Sequence, residues 1–311
     1  MPELPEVETV ARGLDKRIAG DTIESVWLGE KPEPLKSPAS EIVDVLEHAR
    51  IVHVRRVGKH IVFDLEKFRT HVSKTARPFD KLRTGSGVPP HSQTSGAPGR
   101  AYSETRDRAQ WIVHLGMTGQ LLIASPTTEI AKHTHAILKL ASGRELRFVD
   151  PRRFGRLAVV RIASQDSSGF AAPGDEPLES QLDRFTTLFL QRRTPIKSAL
   201  LNQKLLSGVG NIYADEALFR AGVRPRRRAS SLTRDELKKL HKHLQQVLRE
   251  AIKLGGSSLS DYVDAEGKKG FFQLKHRVYG REGKPCLVCE TPIKRVIIAG
   301  RSSHYCPHCQ K

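Results

Sequence analysis

The chain has 311 residues, of which 38% are hydrophobic, and this length allows two domains with separate cores. No run approaches the roughly 18 apolar residues of a membrane span, and no basic and then apolar leader opens the sequence, so a cytoplasmic location is expected. Lysine and arginine number 52 against 34 aspartates and glutamates, a net charge of +18. This surplus favours a polyanionic partner, nucleic acid rather than an anionic lipid surface.

Residues 1–162 predict an antiparallel β-sandwich domain with flanking helices. From Pro5 the apolar residues follow helical spacing, with the proline suited to the first helical position. Strand-like alternation then recurs in runs that are bounded by turn residues. These runs are 22–28, 51–65, 110–124, 135–150 and 156–162. A helix followed by hairpin strands is typical of such a sandwich, so the fold class is α+β with more than one domain.

Two polar stretches break this pattern. Residues 67–108 are rich in serine, threonine, glycine, proline and arginine with little hydrophobic periodicity, which predicts a disordered insertion. A functional arm is the alternative, but the scarcity of aromatic residues favours a dispensable loop. The second stretch, 163–180, is predicted to be the interdomain linker.

Residues 181–280 predict a helical domain, because apolar residues recur there at intervals of three and four. Thr233 followed by Glu236 predicts a capping box at the start of its longest helix. The pair Gly255 and Gly256 predicts where that helix stops.

All four cysteines lie in the last 26 residues, within the segment 281–311. They form two Cys-x2-Cys pairs separated by 16 residues: Cys286, Cys289, Cys306 and Cys309. Two such pairs on one hairpin suit tetrahedral coordination of one Zn²⁺ by four thiolates, which leaves no open position and so makes the ion structural. The alternative is a set of four reduced thiols. Basic residues between the pairs favour a hairpin that rests on DNA.

Two further stretches suggest contacts with nucleic acid. "SGVGN" (207–211) joins two helices, so backbone N–H groups at a helix N-terminus, with Asn211, predict a phosphate site. "DPRRFG" (150–155) puts Arg152 beside Phe154 in a turn. Phe154 is either a core side chain under a surface turn or a wedge that enters a duplex.

The histidines of "KHTH", His133 and His135, could bind a metal, but no cysteine or carboxylate neighbour supports that reading. A basic strand edge near DNA phosphates is the preferred interpretation, with His133 as the contact.

These motifs together resemble the formamidopyrimidine-DNA glycosylase family (Fpg, MutM), bacterial base-excision repair enzymes that remove 8-oxoguanine and ring-opened purines. The resemblance rests on six stretches in order and covers nearly the whole chain except 67–108, which is longer than the family's usual connection. The stretches are "MPELPEVETV", "VGKHIVF", "HLGMTG", "DPRRFG", "NQKLLSGVGNIYADEALFRAG" and the four-cysteine finger. The resemblance implies a helix–two-turn–helix motif in the helical domain, double-stranded DNA with oxidised bases in the cleft between domains, and monomeric action.

The resemblance also implies roles for individual residues. Pro2, exposed after removal of Met1, matches the nucleophile, Glu3 the catalytic carboxylate, and Lys59 a lysine that contacts DNA and assists catalysis. Met117, Arg152 and Phe154 match the residues that fill the gap left by the flipped nucleotide. The matches to DNA-contact positions are Asn211, Arg301, Lys197 and Tyr213. Residues 257–272 correspond to the lesion-recognition loop.

The expected chemistry suits these residues. A purine must leave the duplex before its glycosidic bond can be attacked. A terminal proline offers a secondary amine, and because a free α-amino group has a typical pKa of about 8, an unprotonated fraction is expected near neutrality to attack C1′ and form a Schiff base. Successive β- and δ-elimination then need a proton shuttle, for which Glu3 is the candidate. Glu6 either orients these groups or complements the positive end of the first helix.

Two alternatives are retained. The endonuclease VIII branch has the same architecture and chemistry but acts on oxidised pyrimidines; the opening "PELPE", in place of the "PEGPE" typical of that branch, favours purines. A non-catalytic protein could instead bind damaged DNA through the finger and basic helices alone. Pro2 distinguishes an enzyme of either specificity from such a binding protein, because only an enzyme needs the Pro2 amine.

Overall fold

The computed structural model describes residues 1–72, 102–163, 169–258 and 262–311, without the side chains of 69–72 and 102–105. Its first domain has two antiparallel sheets of four strands each, with a helix α1 (Leu4–Ile18) and a short helix α2 (Ala39–Leu46). The strands are β1 (Ile23–Leu28), β2 (Arg50–Val57), β3 (His60–Val72), β4 (Tyr102–His114), β5 (Gln120–Ala124), β6 (Thr134–Leu140), β7 (Glu145–Val149) and β8 (Arg156–Ile162). The strand order is β1-β6-β7-β5 in one sheet and β2-β3-β4-β8 in the other.

One apolar core lies between the two sheets, as expected where alternate side chains of each strand face inward. Phe63 of β3 packs on Trp111 of β4 with ring centroids 4.6 Å apart. Helix α1 buries Val10 and Leu14 in the same core, which agrees with the helical spacing seen in the sequence. The predicted β-sandwich is confirmed.

The second domain is helical, and its core is separate. Its helices are α3 (Leu182–Leu190), α4 (Ile196–Leu200), α5 (Asn211–Arg220) and α6 (Arg234–Lys253). The predicted capping box opens α6: the Glu236 N–H donates to Thr233 Oγ1 (3.2 Å) and the Thr233 N–H donates to the Glu236 carboxylate (2.8 Å). Leu4 of α1 packs in this second core, so α1 contributes side chains to both domains.

The last segment forms the predicted hairpin, with strands β9 (Lys294–Ile298) and β10 (Arg301–Tyr305) paired antiparallel. Cys286 and Cys306 are buried beside Phe219 of α5 and form with it a small third cluster. The finger is therefore packed on the helical domain. Within the described ranges, no helix combines the length and the apolar character needed to cross a bilayer.

Three details differ from the sequence prediction. The β3–β4 ladder pairs residue by residue as far as Val72 and Tyr102, so the expected insertion 67–108 contains strand at both ends, and its middle lies outside the described residues. Helix α2 was not predicted, although Ile42, Val45 and Leu46 have helical spacing. The linker makes ordered contacts: the Phe170 N–H donates to Gln110 Oε1 (2.6 Å), while residues 164–168 are outside the described part.

Candidate active site

A cavity of about 710 Å³ brings the N-terminus together with the second domain and the finger. It is lined by six of the residues singled out from the sequence, namely Pro2, Glu3, Lys59, Met117, Asn211 and Arg301. Glu6, Ser257 and Tyr262 line it as well. The cavity therefore unites side chains that are as far apart in the sequence as Pro2 and Arg301.

Glu3 is seated on the N-terminus of α5. Its Oε1 accepts the N–H of Ile212 (3.1 Å) and its Oε2 that of Tyr213 (3.5 Å). The backbone comes so close here that a Cβ at position 210 would lie 2.2 Å from Glu3 Cδ, so Gly210 is required. Burial raises the pKa of Glu3, against the opposing effects of the Lys59 charge and these N–H groups. A carboxyl group in this setting keeps its proton to a pH nearer neutrality than the carboxyl group of an exposed glutamate does.

This arrangement removes two of the N–H groups from the phosphate site that is predicted at "SGVGN", while the contact predicted for Asn211 stays a prediction. The N–H groups of Ile212 and Tyr213 at the start of α5 are bound to Glu3, so they are not offered to DNA. Asn211 does line the cavity, and its amide donates to Ser302 Oγ (3.4 Å). The N-terminus of α5 thus binds a carboxylate of the same chain, that of the candidate catalytic residue Glu3.

Glu6 orients the catalytic segment. Its Oε2 accepts the Glu3 N–H (2.8 Å), and its Oε1 accepts both the Ser257 N–H (2.7 Å) and the hydroxyl of Tyr213. Burial, and secondly the nearby Glu3 charge, raise the pKa of Glu6 to about 7. Of the two roles left open from the sequence, orientation by hydrogen bonding is the one these contacts support. Glu6 also ties the start of the chain to the first residue of the loop 257–272.

Lys59 lies in the turn between β2 and β3 and faces the same cavity. Burial lowers the pKa of its ammonium, opposed by the negative charge of Glu3 and assisted by the positive charge of Arg301. In the described chain the Pro2 nitrogen is a peptide nitrogen bonded to Met1. A nucleophilic amine at this position therefore requires removal of Met1.

The turn that carries Phe154 is exposed and rigidly supported. Phe154 and Met117 are 53% and 41% exposed, and the Arg152 guanidinium lies 4.9 Å from the Phe154 ring centroid. Gly116 has a φ of +64° and its Cβ position is 2.5 Å from the Phe154 carbonyl carbon, which leaves room only for glycine. Exposure favours the wedge over the core interpretation of Phe154.

Asp150 was not recognised in the sequence as the residue that holds this turn. It is fully buried, and its two oxygens accept the Thr118 hydroxyl (2.6 Å) and the Gly155 N–H (2.7 Å). It thereby links the "LGMTG" segment to the "DPRRFG" segment. Only its place at the head of "DPRRFG" could have indicated this.

Two of the expected DNA contacts do not face the cavity. Lys197 is completely buried, with its Nζ 2.7 Å from Asp215 Oδ1 and donating to the Ser302 carbonyl (2.6 Å). Tyr213 is also completely buried, and its hydroxyl binds Glu6. Both predicted direct contacts are wrong for this conformation, because each polar group is already bound inside the protein.

His133 is exposed ahead of β6 and does not line the cavity; its carbonyl accepts the Asp150 N–H (2.9 Å). A DNA contact by His133 stays a prediction. His114, missed in the sequence, does line the cavity, and its Nδ1 accepts the Gly116 N–H (2.9 Å). Burial lowers the pKa of His114 to about 4, so the neutral ring carries its proton on Nε2 as a donor. Its position in "HLGMTG" was the available signal.

The four cysteines fit a zinc ion. Their sulfurs all lie within 4.8 Å of one another, and three of the Sγ–Sγ distances are 3.3, 3.4 and 3.9 Å. Tetrahedral Zn²⁺ with Zn–S bonds of about 2.3 Å places its sulfurs roughly 3.8 Å apart. Four thiolates complete the coordination, so the ion is structural. It stiffens the hairpin that carries Arg301.

Comparison with known proteins agrees with this geometry. Three family models match: the formamidopyrimidine-DNA glycosylase N-terminal domain over 1–157, the H2TH domain of the same enzyme over 173–263, and a zinc finger found in FPG and IleRS over 283–311. A formamidopyrimidine-DNA glycosylase of Solibacter usitatus is 41% identical with full coverage of both chains.

Solved structures give the same result. The MutM (Fpg) protein of Thermus thermophilus is 38% identical, with a TM-score of 0.74 over 99% of this chain and 98% of that one. A Lactococcus lactis Fpg variant in complex with Fapy-dG DNA is 29% identical, with a TM-score of 0.77 over the whole of both chains. The chain therefore belongs to the formamidopyrimidine-DNA glycosylase family of base-excision repair enzymes.

Proposed function

We propose that this chain excises oxidised purines from double-stranded DNA and then cleaves the abasic strand, with the amine of Pro2 as the nucleophile. The observation that carries the proposal is the cavity in which Pro2, Glu3 and Lys59 meet at the junction of the two domains. Arg301 of the hairpin adds positive charge to the same cavity, as a polyanionic substrate requires.

The first step would be attack of the Pro2 nitrogen on C1′ of the damaged nucleotide, with departure of the base and formation of a Schiff base. The buried Glu3 is suited to give a proton to the opening sugar and to take it back later, since burial raises its pKa. The lowered pKa of Lys59 brings that amine closer to neutrality, where it can assist proton transfer. Loss of both phosphates by β- and δ-elimination would follow, and hydrolysis of the remaining Schiff base by water would release the sugar fragment and restore the Pro2 amine.

The nucleotide must leave the stack to reach this cavity. Phe154 and Met117 are the large apolar side chains exposed on the turn segments, and Arg152 lies against the Phe154 ring. We infer that this group enters the duplex and occupies the vacated space. The neutral His114 and Asn211 would then donate hydrogen bonds to phosphates near the flipped nucleotide.

Borohydride trapping on DNA containing 8-oxoguanine tests the catalytic proposal. The wild type should give a covalent adduct, and Pro2→Gly should give none while retaining its melting temperature. Pro126→Gly changes an exposed proline in the loop after β5 and serves as the matched control that traps normally. Absence of an adduct with the wild type on every oxidised substrate would favour the non-catalytic, DNA-binding alternative.

Competition between duplexes with 8-oxoguanine and thymine glycol tests the substrate class. We expect faster cleavage of the purine lesion. The Lactococcus lactis enzyme has been solved with DNA containing Fapy-dG and with DNA containing an oxidised pyrimidine, so binding alone does not separate the two classes. Single-turnover rates do, and a preference for thymine glycol would overturn the assignment to purines.

The same proposal includes a monomer that acts on the bacterial chromosome in the cytoplasm. Bacterial relatives of full length support the location. Sedimentation of the protein with and without a short lesion duplex checks the stoichiometry, for which one chain per duplex is expected.

A further inference from the structure

We propose that Lys197 and Asp215 are positioning residues that dock the zinc-finger hairpin on the helical domain and so direct Arg301 into the active-site cavity. The inference deepens the proposed function and rests on it. It replaces the direct DNA contact expected of Lys197.

The contacts fall on one strand of the hairpin. The Lys197 ammonium donates to the Ser302 carbonyl (2.6 Å), and Asp215 Oδ2 accepts the His304 N–H (2.8 Å). Strand β10 is therefore held at two alternate residues by α4 and α5. Arg301 is the residue immediately before this anchored stretch, and it is exposed and lines the cavity.

The pair is sealed from solvent, because both side chains have no exposed surface. Burial lowers the pKa of Lys197, and the charge of Asp215 opposes that shift. A buried ion pair adds little net stability compared with apolar side chains, but removal of one partner is costly. The role of the pair is to fix the position of β10, since both side chains bind the backbone of that strand.

Helix α5 connects this anchor with the catalytic carboxylate. The Ile212 N–H in its first turn binds Glu3 (3.1 Å), and Asp215 lies about one turn later on the same helix. The start of α5 contacts the hairpin as well, through the amide of Asn211 and Ser302 Oγ (3.4 Å). One rigid helix thus fixes the position of Arg301 relative to Glu3.

The experiment compares Lys197→Met with Lys239→Met, a change of the same charge at an exposed position of α6. Binding to an uncleavable abasic-analogue duplex is measured from low to high salt. We expect Lys197→Met to weaken binding about 10-fold and to reduce the slope of log K against log salt by about one, as Arg301→Ala should. Lys239→Met should do neither.

A double-mutant cycle distinguishes positioning from an independent role. Lys197→Met should add almost nothing to Arg301→Ala, and at saturating lesion DNA it should keep the wild-type rate of borohydride trapping. Additive losses, or a slower trapping rate with an unchanged salt slope, would overturn the proposal. If the wild type traps no adduct, the proposed function fails, but the binding cycle still tests the docking role.

If Lys197→Met does not fold, the double change Lys197→Met with Asp215→Leu removes both charges and leaves an apolar contact. Zinc content and the melting temperature report its fold. It should fold and show the same reduced salt slope, and a wild-type slope in this variant would contradict the proposal.

Discussion

Gly210 determines how closely the catalytic carboxylate approaches α5. Its φ of −129° is open to any residue, so the reason for glycine is space and not backbone conformation. A methyl group there would lie 2.2 Å from Glu3 Cδ and 2.5 Å from Glu3 Cγ. The loop "SGVGN", for which the sequence predicted a phosphate site, packs closely against the Glu3 side chain of the same chain.

Gly210→Ala should therefore displace Glu3. We expect a destabilisation of about 1–3 kcal/mol and a loss of the trapping rate on the order of 100-fold, since small misplacements of a reacting group have large kinetic effects. Gly13→Ala is the matched control: its new methyl would meet nothing closer than 3.6 Å inside α1, and it should stabilise by about 0.5–1 kcal/mol. Equal rates for the two variants would contradict this account of Gly210.

The raised pKa of Glu6 predicts that the free energy of unfolding depends on pH. Its pKa rises from 4.5 to about 7 in the folded chain, so between these values the folded state holds a proton that the unfolded state lacks. The resulting stability is complete below pH 4.5 and is lost as the pH rises through 7; a shift of this size corresponds to roughly 3 kcal/mol.

In the Glu6→Gln variant, the decline in the free energy of unfolding between pH 4.5 and 7 should flatten. Urea unfolding at several pH values measures it, with the exposed Glu24→Gln of β1 as the control that keeps the wild-type profile. A Glu6→Gln profile that still declines across this range would show that other groups are responsible.

At the scale of elements, the zinc finger is a local unit joined to α5. Its buried cysteines pack with Phe219, and its hairpin carries Arg301 into the cavity. Structural zinc provides most of the folding free energy of such small units. Removal of the ion should therefore unfold the hairpin without unfolding the sandwich.

The two tryptophans make this separation measurable, because Trp27 and Trp111 both lie in the sandwich domain. After a chelator removes zinc, DNA binding should be lost while the tryptophan-monitored unfolding transition stays within a few degrees. Restoration of binding by added Zn²⁺ is the control. Loss of the tryptophan transition on chelation would mean that the finger supports the whole fold.

The elements themselves were largely predictable. Alternation located the strands from β1 to β8, and helical spacing with the Thr233 capping box located α6. The ends of β3 and β4 were missed because polar residues there pair through the backbone, which leaves no hydrophobic pattern.

The site was predictable only in part. Pro2, Glu3 and Lys59 were found through motif resemblance, and they meet in one cavity. Glu6 and Asp215 could not be assigned from the sequence, because a carboxylate bound inside the protein has the same sequence signature as one in water. Burial supplies the distinction, and burial depends on the tertiary fold.

At the scale of the whole molecule, the active site depends on how the two domains meet. Helix α1 places Val10 in the sandwich core and Leu4 in the helical core, so the N-terminal catalytic segment lies across the junction. Arg56 reinforces the junction: its guanidinium contacts Glu8 of α1 (2.7 Å) and Glu176 of the linker (2.8 Å). The Arg56 side chain is 6% exposed.

Arg56→Met should therefore loosen the junction, because Glu176 loses its cation and Glu8 keeps only the exposed Arg12 (2.6 Å) as a partner. We expect a destabilisation of about 3 kcal/mol and a fall in the trapping rate, because Glu3 is held from both domains. The neighbouring Arg55→Met removes a more exposed pair with Asp64 (2.7 Å) and should cost less than about 1 kcal/mol. Thermal unfolding and borohydride trapping of both variants test this prediction. Similar losses of stability in the two variants would make Arg56 an ordinary surface cation. Wild-type stability of Arg56→Met together with slow trapping would mean that Arg56 affects only the geometry of the site.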